Sequence, residues 1–176
     1  MKKMIFLILL VGFGASAEQL MSTKDFLKSQ LASYSSMAKE NFKVSEALLG
    51  ELKSLAENAT DQQATFYYGK DENQNIAKAC TMVPQKGKEG PMVLGVCFDD
   101  KGIVNAIEII EFNEDRGQKA KERSFLDQFK GKHPAKAGLS IGSDIHGVAG
   151  ATYTSEYISE AVRKASFFHE KFVSKK

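Results

Sequence analysis

The sequence predicts an α+β fold: one antiparallel β-sheet with helices from the N-terminal and C-terminal parts of the chain packed on it. Three observations predict it. Apolar residues recur at helical three-to-four spacing towards both ends, at Phe26, Leu27, Leu31 and Tyr34 and again at Ile158, Val162, Ala165 and Phe168. Between them lie four short apolar runs, at residues 64–68, 76–83, 92–98 and 103–112. The runs are separated by brief turn-rich linkers, and such short connections join neighbouring antiparallel strands.

The elements follow in order. Lys2 and Lys3 precede an apolar run at residues 4–13, and Ala15-Ser16-Ala17 then leads into Glu18. This is the layout of a secretory signal peptide. The run falls well short of the roughly 20 residues that span a bilayer. The expectation is a leader at residues 1–17, cleaved near Ala17, with the mature protein periplasmic or secreted. Residues 18–62 read as a helical segment. Ser22 or Thr23 caps its start, Val44, Leu48, Leu49, Leu52 and Leu55 continue the helical spacing to about residue 59, and Gly50 interrupts it. Residues 63–176 form the remaining domain.

In that domain the linkers at 69–73, 85–90 and 99–102 carry Gly, Asp, Asn and Lys, as tight turns require. In the last run Ile103, Ala106, Ile107, Ile109 and Ile110 do not alternate cleanly, so a bulge or burial on both faces is expected. Ala120, Phe125, Leu126 and Phe129 predict a helix over 118–129, ended by Gly131. Residues 132–147 read as a loop, and 155–173 as the final helix.

Charge and cysteine content narrow the function classes. The chain holds 24 Lys and Arg against 22 Asp and Glu. Loss of Lys2 and Lys3 with the leader leaves the mature chain neutral, which gives no electrostatic case for nucleic-acid binding. Cys80 and Cys97 lie in two runs that can pair as neighbouring strands, and an exported chain meets an oxidising compartment. A disulfide and a pair of buried thiols are both compatible with the sequence, and geometry decides between them. His133, His146 and His169 show no metal-ligand spacing.

The chemistry concentrates in residues 146–155. Gly147, Ala149, Gly150 and Ala151 let backbone pass close to a ligand, and the hydroxyls of Thr152, Thr154 and Ser155 follow at once. A helix then begins, and its unpaired amides favour an anion such as phosphate. A plain Gly-rich loop with a hydroxyl cap is the simpler reading of the same residues. No Gly-Lys-Ser/Thr follows, so this is not a Walker loop. His146 reads either as a proton donor or phosphate contact or as a surface-loop histidine.

Gly150-Ala151-Thr152-Tyr153-Thr154-Ser155 resembles the "S/T-G-A-T-x-T/S-S" segment of the FMN-binding domain family, which includes flavoprotein subunits of sodium-pumping quinone reductases and Rnf-type electron-transport complexes. Phe125-Leu126-Asp127-Gln128-Phe129-Lys130-Gly131 resembles that family's "F-x-x-Q-F-x-G" stretch. Glu114-Asp115-Arg116-Gly117 stands where the family has "E-T-P-G", and the likeness runs in order from about residue 64 to 170. The resemblance implies FMN joined through its phosphate to Thr152 by a flavin transferase. It places Gly150, Ala151, Thr154 and Ser155 near the phosphate and Glu114 and Lys130 near the flavin, with Tyr153 or Phe129 as candidates to cover the ring. The implied protein carries electrons rather than turning over a substrate of its own, with redox proteins at the extracytoplasmic membrane face as partners. Two departures stand out: His146 replaces a usual acidic residue, and Ala149 a usual Ser or Thr. They keep open a rival reading, a non-redox extracytoplasmic binding module of the same fold without flavin.

Overall fold

The computed structural model describes residues 18–57, 59–133 and 138–174. The predicted leader lies outside the described residues. The elements are β1 (Glu18–Gln19), α1 (Thr23–Leu31), β2 (Ser36–Lys43), α2 (Glu46–Lys53), β3 (Gln63–Lys70), β4 (Ile76–Lys86), β5 (Pro91–Asp99), β6 (Val104–Phe112), α3 (Arg123–Leu126) and α4 (Thr152–Phe172). The strands form one six-stranded antiparallel sheet in the order β1-β6-β5-β4-β3-β2. The fold is α+β, as the sequence predicts.

Helices cover both faces of this sheet. On one face α4 lies along β4 and β5, and its predicted stripe of Ile158, Val162, Ala165 and Phe168 is buried with Phe66, Leu94 and Ile107. On the other face α1 seats Phe26 and Leu31 against Cys80, Cys97, Ala106 and Ile110. Cys80 and Cys97 are register partners on β4 and β5 and are joined Sγ to Sγ on this second face. β6 therefore buries side chains in both directions. Its register against β5 slips twice, once near each end of the strand, and each slip re-aims the following side chains. Both expectations for this run hold together.

Residues 22–59 do not form the continuous helical stretch that the spacing predicts. The helix stops at Leu31, β2 intervenes, and α2 resumes at Glu46. Along β2 exposure alternates residue by residue, and all eight residues pair with β3. Met37, Ala38, Lys39 and Glu40 favour a helix by only a few tenths of a kcal/mol each. An eight-residue ladder, with Phe42 stacked on Phe172 of α4 at 4.6 Å, outweighs that preference. Ser22 and Ser45 cap α1 and α2 through their hydroxyls.

The predicted helix over 118–129 is instead α3 flanked by 3₁₀ turns at Gln118–Lys121 and Asp127–Phe129. Its apolar positions Ala120, Phe125, Leu126 and Phe129 are nonetheless buried. Gly131 follows it with φ 75°, in the left-handed region where glycine ends a helix without strain. The last helix begins at Thr152, three positions before the predicted start at 155, because the hydroxyl residues themselves occupy its first turn.

Candidate functional site

A meander of hairpins sets the ends of alternate strands on the same side of a sheet. The β4–β5 turn and the exit of β6 therefore meet at one end, and the start of α4 is brought to the same place. A cavity of about 250 Å³ lies between them, lined by Lys88 and Glu89 from the turn, Glu114 and Arg116 from the exit loop, and residues 150–154.

Two glutamates clasp the turn to the exit loop. The Glu114 carboxylate, 4% exposed, accepts the Glu89 amide at 3.0 Å. In return the Glu89 carboxylate accepts the Asp115 amide at 2.6 Å and the Arg116 amide at 3.2 Å. The exchange satisfies backbone groups in both loops and fixes their relative position. Gly87 is required for it, since a Cβ there would collide with the Glu114 carboxylate and the Gly90 carbonyl.

The exit loop is in turn seated on α4. Thr154 donates its hydroxyl to the Arg116 carbonyl at 3.3 Å. Gly117 follows with φ 102°, and a Cβ there would run into the Thr154 side chain. Ser155 is fully buried, with its hydroxyl donated to the Ala151 carbonyl at 2.9 Å and accepting the Val148 amide at 3.2 Å. Thr154 and Ser155 are thus committed to holding the bend in place.

Thr152 differs from both. It is exposed, it is the first residue of α4, and the helix has no side-chain cap at Ala151. The amides of the first helical turn have no carbonyl one turn back to bond, so they present donors and the positive end of the helix dipole. Lys88 and Arg116 add positive charge on the same cavity. Tyr153, 60% exposed, stands at the rim with the Lys88 ammonium 4.4 Å from its ring centre.

The chemistry offered is anion binding beside a free hydroxyl. The cavity is smaller than the roughly 300–1,000 Å³ of whole-ligand pockets, so it suits a phosphate and its linker better than a complete nucleotide. A second depression of about 420 Å³ shares Lys88 and Glu89 as a common wall and extends along the β4–β5 turn to Asp61 and Lys164. That ion pair is buried, with Lys164 2.9 Å from Asp61 and 2.7 Å from the Pro84 carbonyl.

The sequence-predicted residues divide into two groups. Gly150, Ala151, Thr152, Tyr153, Thr154 and Glu114 converge on the cavity. Ser155, Lys130 and His146 do not line it: Ser155 is fully buried with its hydroxyl bonded to backbone, Lys130 pairs with Asp127 at 2.7 Å, and the exposed His146 is held by its backbone, which exchanges two hydrogen bonds with the Gln128 side chain. Phe129 is packed edge-to-face on Phe125 in the core and is closed to any ligand. Lys88, Glu89 and Arg116 carry no motif that singles them out in the sequence. Their signal is positional, in the turns that a meander must bring together.

Comparison with known proteins accords with this geometry. The model of the FMN-binding domain family matches residues 87–166, a span that opens at the β4–β5 turn and includes the exit loop and the start of α4. Among solved structures, the chain is similar to a subunit of the Na(+)-translocating NADH-quinone reductase of Parabacteroides distasonis, with 18% identity, a TM-score of 0.55 and 79% of each chain covered. It is also similar to NqrC of Shewanella oneidensis, with 16% identity, a TM-score of 0.55, and 84% of this chain and 86% of that one covered. At these identities the likeness is one of fold. No curated protein matches the chain. Residues 87–166 therefore carry a match to the FMN-binding domain family, set within a fold similar to that of these two solved structures.

Proposed function

We propose that this protein is an exported electron-transfer flavoprotein that carries FMN attached through its phosphate to the Thr152 hydroxyl. One observation carries the reading: Thr152 is the exposed hydroxyl at the uncapped start of α4, on a cavity that Lys88 and Arg116 line together with Glu89 and Glu114, whose carboxylates are engaged by backbone amides of the two loops. Thr154 and Ser155 have their hydroxyls engaged by the backbone, which leaves Thr152 as the acceptor.

Attachment follows the chemistry that the family resemblance implies. A flavin transferase uses FAD as donor, the phosphoanhydride bond breaks, AMP leaves, and the new phosphoester forms at the Thr152 oxygen as its proton goes to solvent. The first-turn amides and the cations of Lys88 and Arg116 receive the negative phosphate. The bound group supplies one- and two-electron redox chemistry. The chain's own residues orient it: the Glu89–Glu114 clasp holds the two loops, Gly117 keeps the exit loop against α4, and Tyr153 offers an aromatic face at the rim. Partners in this reading are the transferase and redox proteins at the extracytoplasmic face of the membrane. The predicted leader supports export, and the intact mass of the exported chain tests cleavage at Ala17.

The attachment test is direct. The chain is co-expressed with a flavin transferase, denatured and separated on a gel under ultraviolet light. The expected result is a fluorescent band that Thr152→Ala abolishes and Thr154→Ser retains. A band that survives Thr152→Ala overturns the assignment of the acceptor. A colourless chain that also fails to take up added FMN overturns the flavin reading and favours the non-redox binding module.

A further inference from the structure

A separate groove lies on the α1 face of the sheet, opposite α4 and independent of the flavin reading. We propose that it binds a single-chain anionic amphiphile of the fatty-acid class. The groove runs between α1 and the β2–β3 edge and encloses about 710 Å³, within the usual range for small-molecule sites. Its floor and walls are largely apolar, from Leu27, Met37 and the Tyr67 ring among others.

Two further features select the occupant. Met37 is 65% exposed, more than any other large apolar side chain among the described residues, and it stands on this groove. Among the described residues, the charged ones that line the groove are Lys24, Lys28 and Lys39, all exposed, and no Asp or Glu lines it. None of the three lysines has an ion-pair partner among the described residues. Lys39 lies 5.5 Å from the centre of the Tyr67 ring.

An apolar trough with a wholly cationic rim complements a molecule with an alkyl chain and one negative end. A neutral apolar ligand leaves the lysines without a role. A flat bilayer is met by protruding apolar side chains, not by a concave trough. The alkyl chain lies along Leu27 and Met37, and the carboxylate meets the ammonium groups at the rim.

The test uses the protein as isolated and the fluorescent probe 11-(dansylamino)undecanoic acid below its micelle concentration. One probe per chain is expected to bind saturably. Displacement by saturated carboxylates should strengthen about fourfold per added methylene while the groove fills. Replacing Lys24, Lys28 and Lys39 together by Gln should weaken binding about tenfold with melting unchanged, since all three are exposed. Met37→Ser should flatten the chain-length dependence. Dodecyltrimethylammonium should displace the probe poorly.

Absence of saturable binding overturns the proposal. So does equal displacement by the cationic amphiphile. Association with phosphatidylglycerol vesicles but not with monomeric probe, or binding of an acidic amphipathic peptide but no carboxylate, overturns it in favour of a membrane or protein surface.

Discussion

Acidification should destabilise this protein through one side chain, His169. The residue sits near the end of α4 at 6% exposure, with its ring 4.6 Å from that of Phe98 and 6.1 Å from that of Phe66. Burial disfavours the charged imidazolium and pulls its pKa down to about 4; Asp99 opposes this and His133 adds to it. The unfolded chain titrates near 6.5, so below that pH the unfolded state binds a proton that the folded state refuses. Stability is therefore full above about pH 6.5 and falls as the pH drops towards about 4, where the loss levels off. A shift of this size corresponds to about 3 kcal/mol in total, of which about 2 kcal/mol is lost by about pH 5. Carboxylates also titrate in this range, so the comparison must be with a variant. Urea unfolding of the wild type and His169→Gln at about pH 7 and about pH 5 isolates the effect. The wild type should lose about 2 kcal/mol more than the variant between the two pH values. Equal losses would refute the reasoning, because the proton would then be entering elsewhere.

Three further outcomes follow from contacts described above. Asp61→Asn should cost about 3 kcal/mol by leaving the Lys164 ammonium buried without its counter-charge, and the double variant Asp61→Asn with Lys164→Met should recover much of that loss in denaturant melts. Gly117→Ala should cost about 1–2 kcal/mol, because φ 102° strains any side chain, and it should also lower flavin incorporation by lifting the exit loop from Thr154; normal loading would show that the loop position is immaterial. Reduction of Cys80–Cys97, which are 17 positions apart in sequence, should lower stability by about 3 kcal/mol in the chain-entropy account, read as a shift in the urea midpoint under reductant.

What the sequence disclosed and what it concealed have separate physical causes. The four central strands and α4 were legible because each carries a long apolar pattern, and that pattern is the packing itself. β2 was concealed because it is an edge strand. Only one neighbour pairs with it, its burial is partial, and its Met-Ala-Lys-Glu composition favours helix in isolation. At the site, the bend around Thr152 could be read because small residues followed by hydroxyls at a helix start leave a local trace. The Glu89–Glu114 clasp leaves none: its members lie 25 residues apart, and each glutamate alone reads as a solvated charge. Yet the meander, once inferred, already fixes which turns share an end of the sheet. Turn 85–90 had to face the exit of β6, and opposed polar residues across that gap were the place to look. The same logic separates Thr152 from its neighbours. Sequence shows three hydroxyls in four positions, and only the fold reveals that Thr154 and Ser155 are engaged by backbone while the first of the three stays exposed on the cavity.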